Sequence, residues 1–498
     1  MKKLNVSFLI LILIVTLLNH TNAQDFQIND TRLGDENVSY VNPEISPVGD
    51  YMVWIEIDTT NGFSGQVWHC GLDPDTGDLI PSNGKGFSAF AANVYGRPAD
   101  WGLDANGPYY VGLNLAGQFV VVRPTGATSA NVEVLSTPPD NRRRVIYPSQ
   151  LPGVDARFMV YILNENVPGW SNNPANNSFE LRFMNLDNPN EEITIETQTR
   201  TFPSAVGMDV IVPRWIKSTP YLTYGFFDNN NFAQIKEFNA FAPLDSPLVV
   251  TNDQNIKTDG HPINNPFNNK QYIVSGFGGG ESALVYRRNQ PSQSFVSIET
   301  ITTPTPNLLN PTLNQSHEPF FFDDQLYTTF QVNEDGGTFL DTTWNEPGEI
   351  WITSIDDLQQ NMWLINDFDT ELNISEPEPY TGNDKIFVYY SGKAIDPSQS
   401  PLNQIFHLRR CETPMNSILS INDNNYEHWI NIHPNPSNDI IKIDTDFNVE
   451  ISLFDFKGQL LLKELDIKEV DISAFSSGHY IIVAEKPGFR VVKKIVKN

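Results

Sequence analysis

The chain has 498 residues, 40% of them apolar and 11% aromatic, which is enough to fill large packed cores, and it carries a formal net charge of -28. So acidic a chain lacks the basic footprint that a nucleic acid backbone requires, which sets DNA and RNA aside as partners. Its two cysteines, Cys70 and Cys411, stand too far apart in sequence for the close ligand spacing of a zinc site.

In chain order, Lys2 and Lys3 precede the apolar run "VSFLILILIVTLL" and the segment "NHTNA" before Gln24, the order of a secretory signal peptide over residues 1–23. No other stretch approaches the roughly 18 consecutive apolar residues of a membrane span, so no further span is expected. Seven similar segments follow: "VNPEISPVGDYMVWIEI" from Val41, "GRPADWGLDANGPYYVGLN" from Gly96, "IYPSQLPGVDARFMVYILN" from Ile146, "IVPRWIKSTPYLTYGFF" from Ile211, "GHPINNPFNNKQYIVSGF" from Gly260, "HEPFFFDDQLYTTFQV" from His317 and "EPYTGNDKIFVYYSG" from Glu378. Each carries a proline, then a turn rich in Gly, Asp, Asn or Pro, then a strongly β-forming run. Pro43, Pro98, Pro148, Pro213, Pro262, Pro319 and Pro379 are separated by 49 to 65 residues, the length of one four-stranded propeller blade with longer loops.

A third strand follows in every copy, for example "QVWHCGL", "AQIKEFN" and "QIFHLRRC", and a fourth in the first six, for example "NVEVLS", "EEITIET" and "SFVSIET". The seventh copy has none. An unclaimed strand-like piece before the first copy, "DFQINDTRLGD", is expected to supply it and so hide the exposed edges of the ring. Residues 24–411 thus resemble the seven-bladed β-propellers of the WD40-like and TolB-like kind, an architecture that carries no function by itself. In such a ring blades one and seven are neighbours. Cys70 and Cys411 could then pair if their Cα atoms lay about 4.4 to 6.8 Å apart, and the sequence leaves both the paired and the free states open.

After Cys411 a linker is expected over 412–428. The tail from 429 to 498 opens on "HPNPSNDIIKI" and continues through "ISLFDFKGQLLL", "DISAFSSGHYIIVA" and "RVVKKIVK", alternating strands and turns as a small β-sandwich does. It resembles the C-terminal sorting domain of type IX secretion cargo, and Lys493 and Lys494 fit that family's basic finish. The resemblance implies passage through the periplasm, handling by the type IX machinery, and delivery to the medium or the cell surface. The expected fold is therefore all-β, a seven-bladed propeller followed by a small sandwich.

The innermost strand of a blade starts beside the central channel, so the residues around the seven prolines are expected to meet at one end of the ring. The chemically able side chains there are His261, His317, Tyr147 and Arg214 as catalytic candidates, with Arg97, Glu318, Glu378 and Glu44 as substrate-binding candidates. Two chemistries could use them on an extracellular polysaccharide. In β-elimination an Arg neutralises a uronic acid carboxylate, a Tyr or His removes the neighbouring proton, and a second group protonates the leaving oxygen. In glycoside hydrolysis two of the glutamates flank the bond. Several polysaccharide lyase families are seven-bladed propellers with His, Tyr and Arg sites, and by that similarity a lyase is favoured over a hydrolase; a non-catalytic glycan- or protein-binding propeller is the alternative.

The basic run Arg142, Arg143 and Arg144 could make a positive spot beside Tyr147, and Trp101, Trp170 and Trp215 could stack on sugars or pack between blades. The Gly-rich "SGFGGGES" falls in a strand hairpin, so it is read as a turn rather than a phosphate cradle. No G-x-S-x-G, H-E-x-x-H or EF-hand motif is present, and no metal ligands are assigned. The acidic loop "NDFDTE" at 366–371 is the one place where calcium could be held.

Overall fold

The computed structural model describes residues 29–497 apart from internal segments, the longest of which are 165–176, 201–211, 335–346, 395–404 and 417–429. The expected signal peptide, Arg97, Trp170 and most of the 366–371 loop lie outside the described residues. Among the described residues there is no helix, and none is available that is long and apolar enough to cross a membrane. The chain divides into two compact units, one ending at Met415 and one beginning at Asn416.

The first unit holds seven antiparallel sheets of four or five strands, one for each sequence copy, and is a β-propeller. Blade one runs Tyr40–Ile45, Tyr51–Asp58, Ser64–Leu72 and Phe87–Asn93, with the short Leu79–Ile80 also on its third strand. Blade seven runs Leu372–Thr381, Lys385–Ala394 and His407–Asn416, and its outermost strand is the N-terminal Asn29–Leu33, paired from Asn29↔Glu412 to Leu33↔Leu408. The unclaimed N-terminal piece therefore closes the ring, as expected. The third strand of blade seven runs past Cys411 to Asn416.

Seven apolar clusters hold the blades together, one at each interface. Second strands are apolar on both faces because each face meets a different neighbour. In blade one, Met52 and Trp54 pack with Tyr380, Phe387 and Tyr389 of blade seven, while Val53 and Ile55 pack with Trp101, Tyr110 and Val122 of blade two. The same alternation recurs in blade seven, where Ile386, Val388 and Tyr390 turn to Phe320, Ile350 and Ile352 of blade six.

The join between blades one and seven has polar fastenings as well. Asp30, whose side chain is wholly buried, accepts hydrogen bonds from the Tyr390 hydroxyl at 2.6 Å and from Arg409 Nε at 3.0 Å. The loop Asp73–Asp78 of blade one reaches blade seven, where Arg410 donates to the Thr76 carbonyl and pairs with Asp78 at 2.6 Å. Gly77 in this loop has φ +67°, and a Cβ there would lie 2.9 Å from the Phe387 ring, so this turn requires glycine. Cys70 and Cys411 are both buried and neither forms a disulfide; Cys70 joins the blade one–seven cluster and Cys411 the blade six–seven cluster.

The second unit is a sandwich of a three-stranded sheet (Ile430–His433, Ile440–Thr445, Glu469–Asp471) and a four-stranded one (Leu460–Leu465, Glu450–Asp455, Gly478–Lys486, Phe489–Lys497). Ile441, Ile443, Ile451, Leu453, Ile482 and Ile495 fill its core. Lys497 is buried and its Nζ donates to the carbonyls of Ile472 at 2.6 Å and Ser473 at 2.9 Å.

Candidate functional site

One residue from each blade occupies the same register on the innermost strand. Glu44 faces Val53, Asp100 faces Val111, Tyr147 faces Val160, Arg214 faces Thr223, His261 faces Val274, Glu318 faces Thr329 and Glu378 faces Tyr389. All seven line a single cavity of about 100 Å³, with Gln150 and Lys217 beside them. That volume is well below the roughly 300 Å³ of the smaller ligand pockets. The cavity suits one functional group of a ligand whose remainder lies outside.

The backbone is irregular at this level. The pairing slips between Val41 and Glu44, Arg144 and Ile146, Thr258 and His261, and Ser375 and Glu378, each time just before the ring residue. Blade six is interrupted instead, between Pro311–Leu313 and Glu318–Phe322, both of which pair with the same second strand. A bulge re-aims the side chain that follows it, and in these blades it turns a polar group into the channel. Asn42 within the blade-one bulge has φ 54° and donates to Glu44 Oε1 at 3.1 Å, fixing that carboxylate. The prolines that mark the repeats are tolerated here because the innermost strand is a sheet edge, where a missing N–H costs no ladder bond.

Three of the ring residues form a chain. His261, only 3% exposed, has Nδ1 at 3.2 Å from Glu318 Oε1 and Nε2 at 3.3 Å from Arg214 Nη2. A guanidinium can only donate, so Nε2 must accept and the ring proton belongs on Nδ1, directed at the Glu318 carboxylate. Arg214 Nη2 also lies 4.0 Å from Glu318 Oε1, and its guanidinium rests 4.9 Å above the Tyr147 ring. Two tryptophans then tie ring residues across blade boundaries: Trp215 Nε1 donates to the Tyr147 carbonyl at 2.8 Å, and Trp101 Nε1 to the Glu44 carbonyl at 2.9 Å. Both are buried in the interfaces between blades, at the edge of the cavity that they help to line.

Of the candidates from sequence, Tyr147, Arg214, His261, Glu44, Glu318 and Glu378 are brought together in the cavity. His317 is fully buried and is not part of the lining, because the strand directs its neighbour Glu318 inward instead. Of the basic run expected beside Tyr147, Arg142 pairs with Asp140 at 2.8 Å and Arg143 is buried over Phe119, donating to the carbonyls of Gly117 and Pro138, while the Arg144 side chain lies outside the described residues. Asp100 is not marked by its proline, because it stands two residues after Pro98 whereas the other six ring residues adjoin theirs. The second strand gives the better signal, since an aromatic stands two residues before the facing position in every blade: Tyr51, Tyr109, Phe158, Tyr221, Tyr272, Tyr327 and Phe387. Among the described residues no cluster of His, Cys, Asp and Glu has the geometry to hold a metal ion.

The first unit is thus a propeller with a polar ring around one end of its channel. The second unit matches the family model described as a secretion system C-terminal sorting domain over residues 431–498, so it is a type IX sorting domain and the protein is one that is secreted or displayed at the cell surface. Comparison with curated proteins finds no match. Solved structures that are similar at low identity include an oligogalacturonate lyase from Vibrio parahaemolyticus (10% identity, TM-score 0.45, 79% of this chain and 95% of that one). A sialidase of Trypanosoma rangeli in complex with sialic acid also matches (9% identity, TM-score 0.40, 94% of this chain and 86% of that one).

Proposed function

We propose that the ring acts on an extracellular polysaccharide containing uronic acid and cleaves it by β-elimination. The observation that carries this reading is the Glu318–His261–Arg214 chain at the channel mouth. Arg214 pairs with the sugar carboxylate and withdraws electron density from it, which acidifies the hydrogen on the adjacent carbon. In pairing with the substrate Arg214 gives up its contact with His261, and Nε2 becomes available to take that proton. The electrons of the broken C–H bond form a carbon–carbon double bond, and the glycosidic oxygen leaves from the next carbon. Tyr147, held under Arg214 and fixed through its carbonyl by Trp215, donates the proton that the leaving oxygen needs. Glu318 keeps the His261 proton on Nδ1 and stabilises the imidazolium that forms.

The test incubates the purified chain with a panel of uronic acid and neutral polysaccharides, following ultraviolet absorbance of unsaturated products and, in parallel, new reducing ends. Absorbance that rises with the wild type and is lost in His261→Ala and Arg214→Ala supports elimination. A second reading is favoured by one observation: Glu318 and Glu378 come from adjacent blades and face the same cavity, as a hydrolase pair would. Reducing ends without absorbance would select it. Saturable binding with neither signal would make the ring a glycan-binding module.

A further inference from the structure

Taken round the channel, the ring is sorted by charge. Blades three, four and five contribute Tyr147, Arg214 and His261, and Lys217 stands in the hairpin after Arg214; blades six, seven, one and two contribute Glu318, Glu378, Glu44 and Asp100 in unbroken succession. We infer that this polarity restricts the substrate to isolated acidic sugars, each flanked by uncharged, hydroxyl-rich ones, and excludes homopolymers of uronic acid. The inference rests on the proposed function and sets the substrate class of the same site.

The cavity admits one group at a time, and only the Arg214 arc can receive a carboxylate. A polymer seated with one carboxylate on Arg214 must lay its neighbouring units across the other side of the mouth, where Glu378, Glu44 and Asp100 face inward. Carboxylates accept hydrogen bonds and do not donate them, so they suit sugar hydroxyls and oppose another carboxylate. Salt weakens such opposition beyond about 8 Å, so it bears most on the units bound next to the one seated on Arg214. The supports of the acidic arc are specific too. The Glu44 carboxylate is held by Asn42, and Asp100 accepts from the Trp101 backbone N–H at 2.6 Å.

Polygalacturonate whose carboxyl groups have been reduced to graded extents gives one backbone with fewer and fewer acidic neighbours, and it is offered to the full chain. The rate of unsaturated product per remaining uronate is expected to rise about tenfold as reduction isolates the acidic units, then to vanish when none is left. The rate on the unreduced polymer is expected to climb with salt, whereas that on the isolated-unit polymer falls, because there attraction to Arg214 dominates. A double variant, Asp100→Asn with Glu378→Gln, should recover cleavage of the unreduced polymer, and the wild-type salt dependence carries the test if that variant does not fold. Equal or faster cleavage of the unreduced polymer, per uronate, overturns the inference while leaving elimination intact. If no polymer gives unsaturated product, it is elimination that fails; binding affinity across the same series then decides the charge preference, and tighter binding of the unreduced polymer overturns it.

Discussion

Replacing Lys393 by methionine should stabilise the propeller at neutral pH. Lys393 lies on the second strand of blade seven, 0% exposed, with its Nζ 5.3 Å from the Phe406 ring centre and no hydrogen-bond partner among the described residues. Burial alone lowers its amine from the usual 10.5 to about 8. Below that value both the folded and unfolded chains hold the proton, and the fold bears the full cost of a buried ammonium. Between about 8 and 10.5 the unfolded chain holds a proton that the folded one has shed, so stability rises with pH across that window. At about 1.4 kcal/mol per pH unit the cost at pH 7 is about 3 kcal/mol. With an unfolding entropy of about 2 cal/mol/K per residue over a propeller of roughly 390 residues, Lys393→Met should raise Tm by about 4 °C at pH 7. The gain should shrink towards zero near pH 10. Eight of the nine tryptophans precede residue 415 and only Trp429 lies beyond it, so fluorescence during heating of the full chain reports mainly on this unit. An unchanged or lower Tm at pH 7, or a gain independent of pH, would refute the reasoning.

Asp30→Ala should destabilise the ring by about 3 kcal/mol, since it strands the Tyr390 hydroxyl and the Arg409 guanidinium at the blade-seven edge; chemical denaturation measures the loss, and Asp30→Asn, which keeps one acceptor, should cost less. His69 is fully buried, with Nδ1 2.9 Å from the Tyr110 hydroxyl, and burial lowers its imidazole to about 4. The unfolded chain therefore takes up a proton that the folded one refuses as pH falls from 6.5 towards 4. Stability should drop by about 3 kcal/mol across that window, and His69→Gln should flatten the profile measured by thermal denaturation. Cys70, whose thiol burial pushes up to about 12, should resist a thiol reagent in the native protein and react on unfolding, and a reductant should leave Tm unchanged because no disulfide is present.

The repeat count, the all-β class and the N-terminal strand of blade seven were legible because they depend on local patterns: aromatic and β-branched runs, turn residues, and a fourth strand missing from one copy. The sorting domain was legible from its motifs. Side-chain direction within the innermost strands was harder to read. His317 and Glu318 are adjacent, and only the register against Thr329 decides which of them enters the cavity. In blade two the ring residue stands two positions after its proline rather than beside it, so Pro98 points to Arg97 where the pairing with Val111 selects Asp100. Arg143 and Trp101 looked available for ligands and are instead spent on neighbours: one stacks on Phe119 and caps backbone carbonyls, the other holds Glu44. Such partners are distant in sequence, and composition carries no trace of them.

The pairing of Asn29 with Glu412 also has a bearing on how the chain matures. Almost the whole propeller must be synthesised before its last sheet can be completed, and contacts of such long sequence separation form slowly. Until then the outer edge of His407–Asn416 is a bare strand, open to pairing with another chain. The segment that ends this exposure comes from one end of the propeller sequence, and the sorting domain follows from the other. Closure therefore works as a check on completeness: a chain cut short at either end of the propeller keeps an adhesive edge, whereas an intact one seals it.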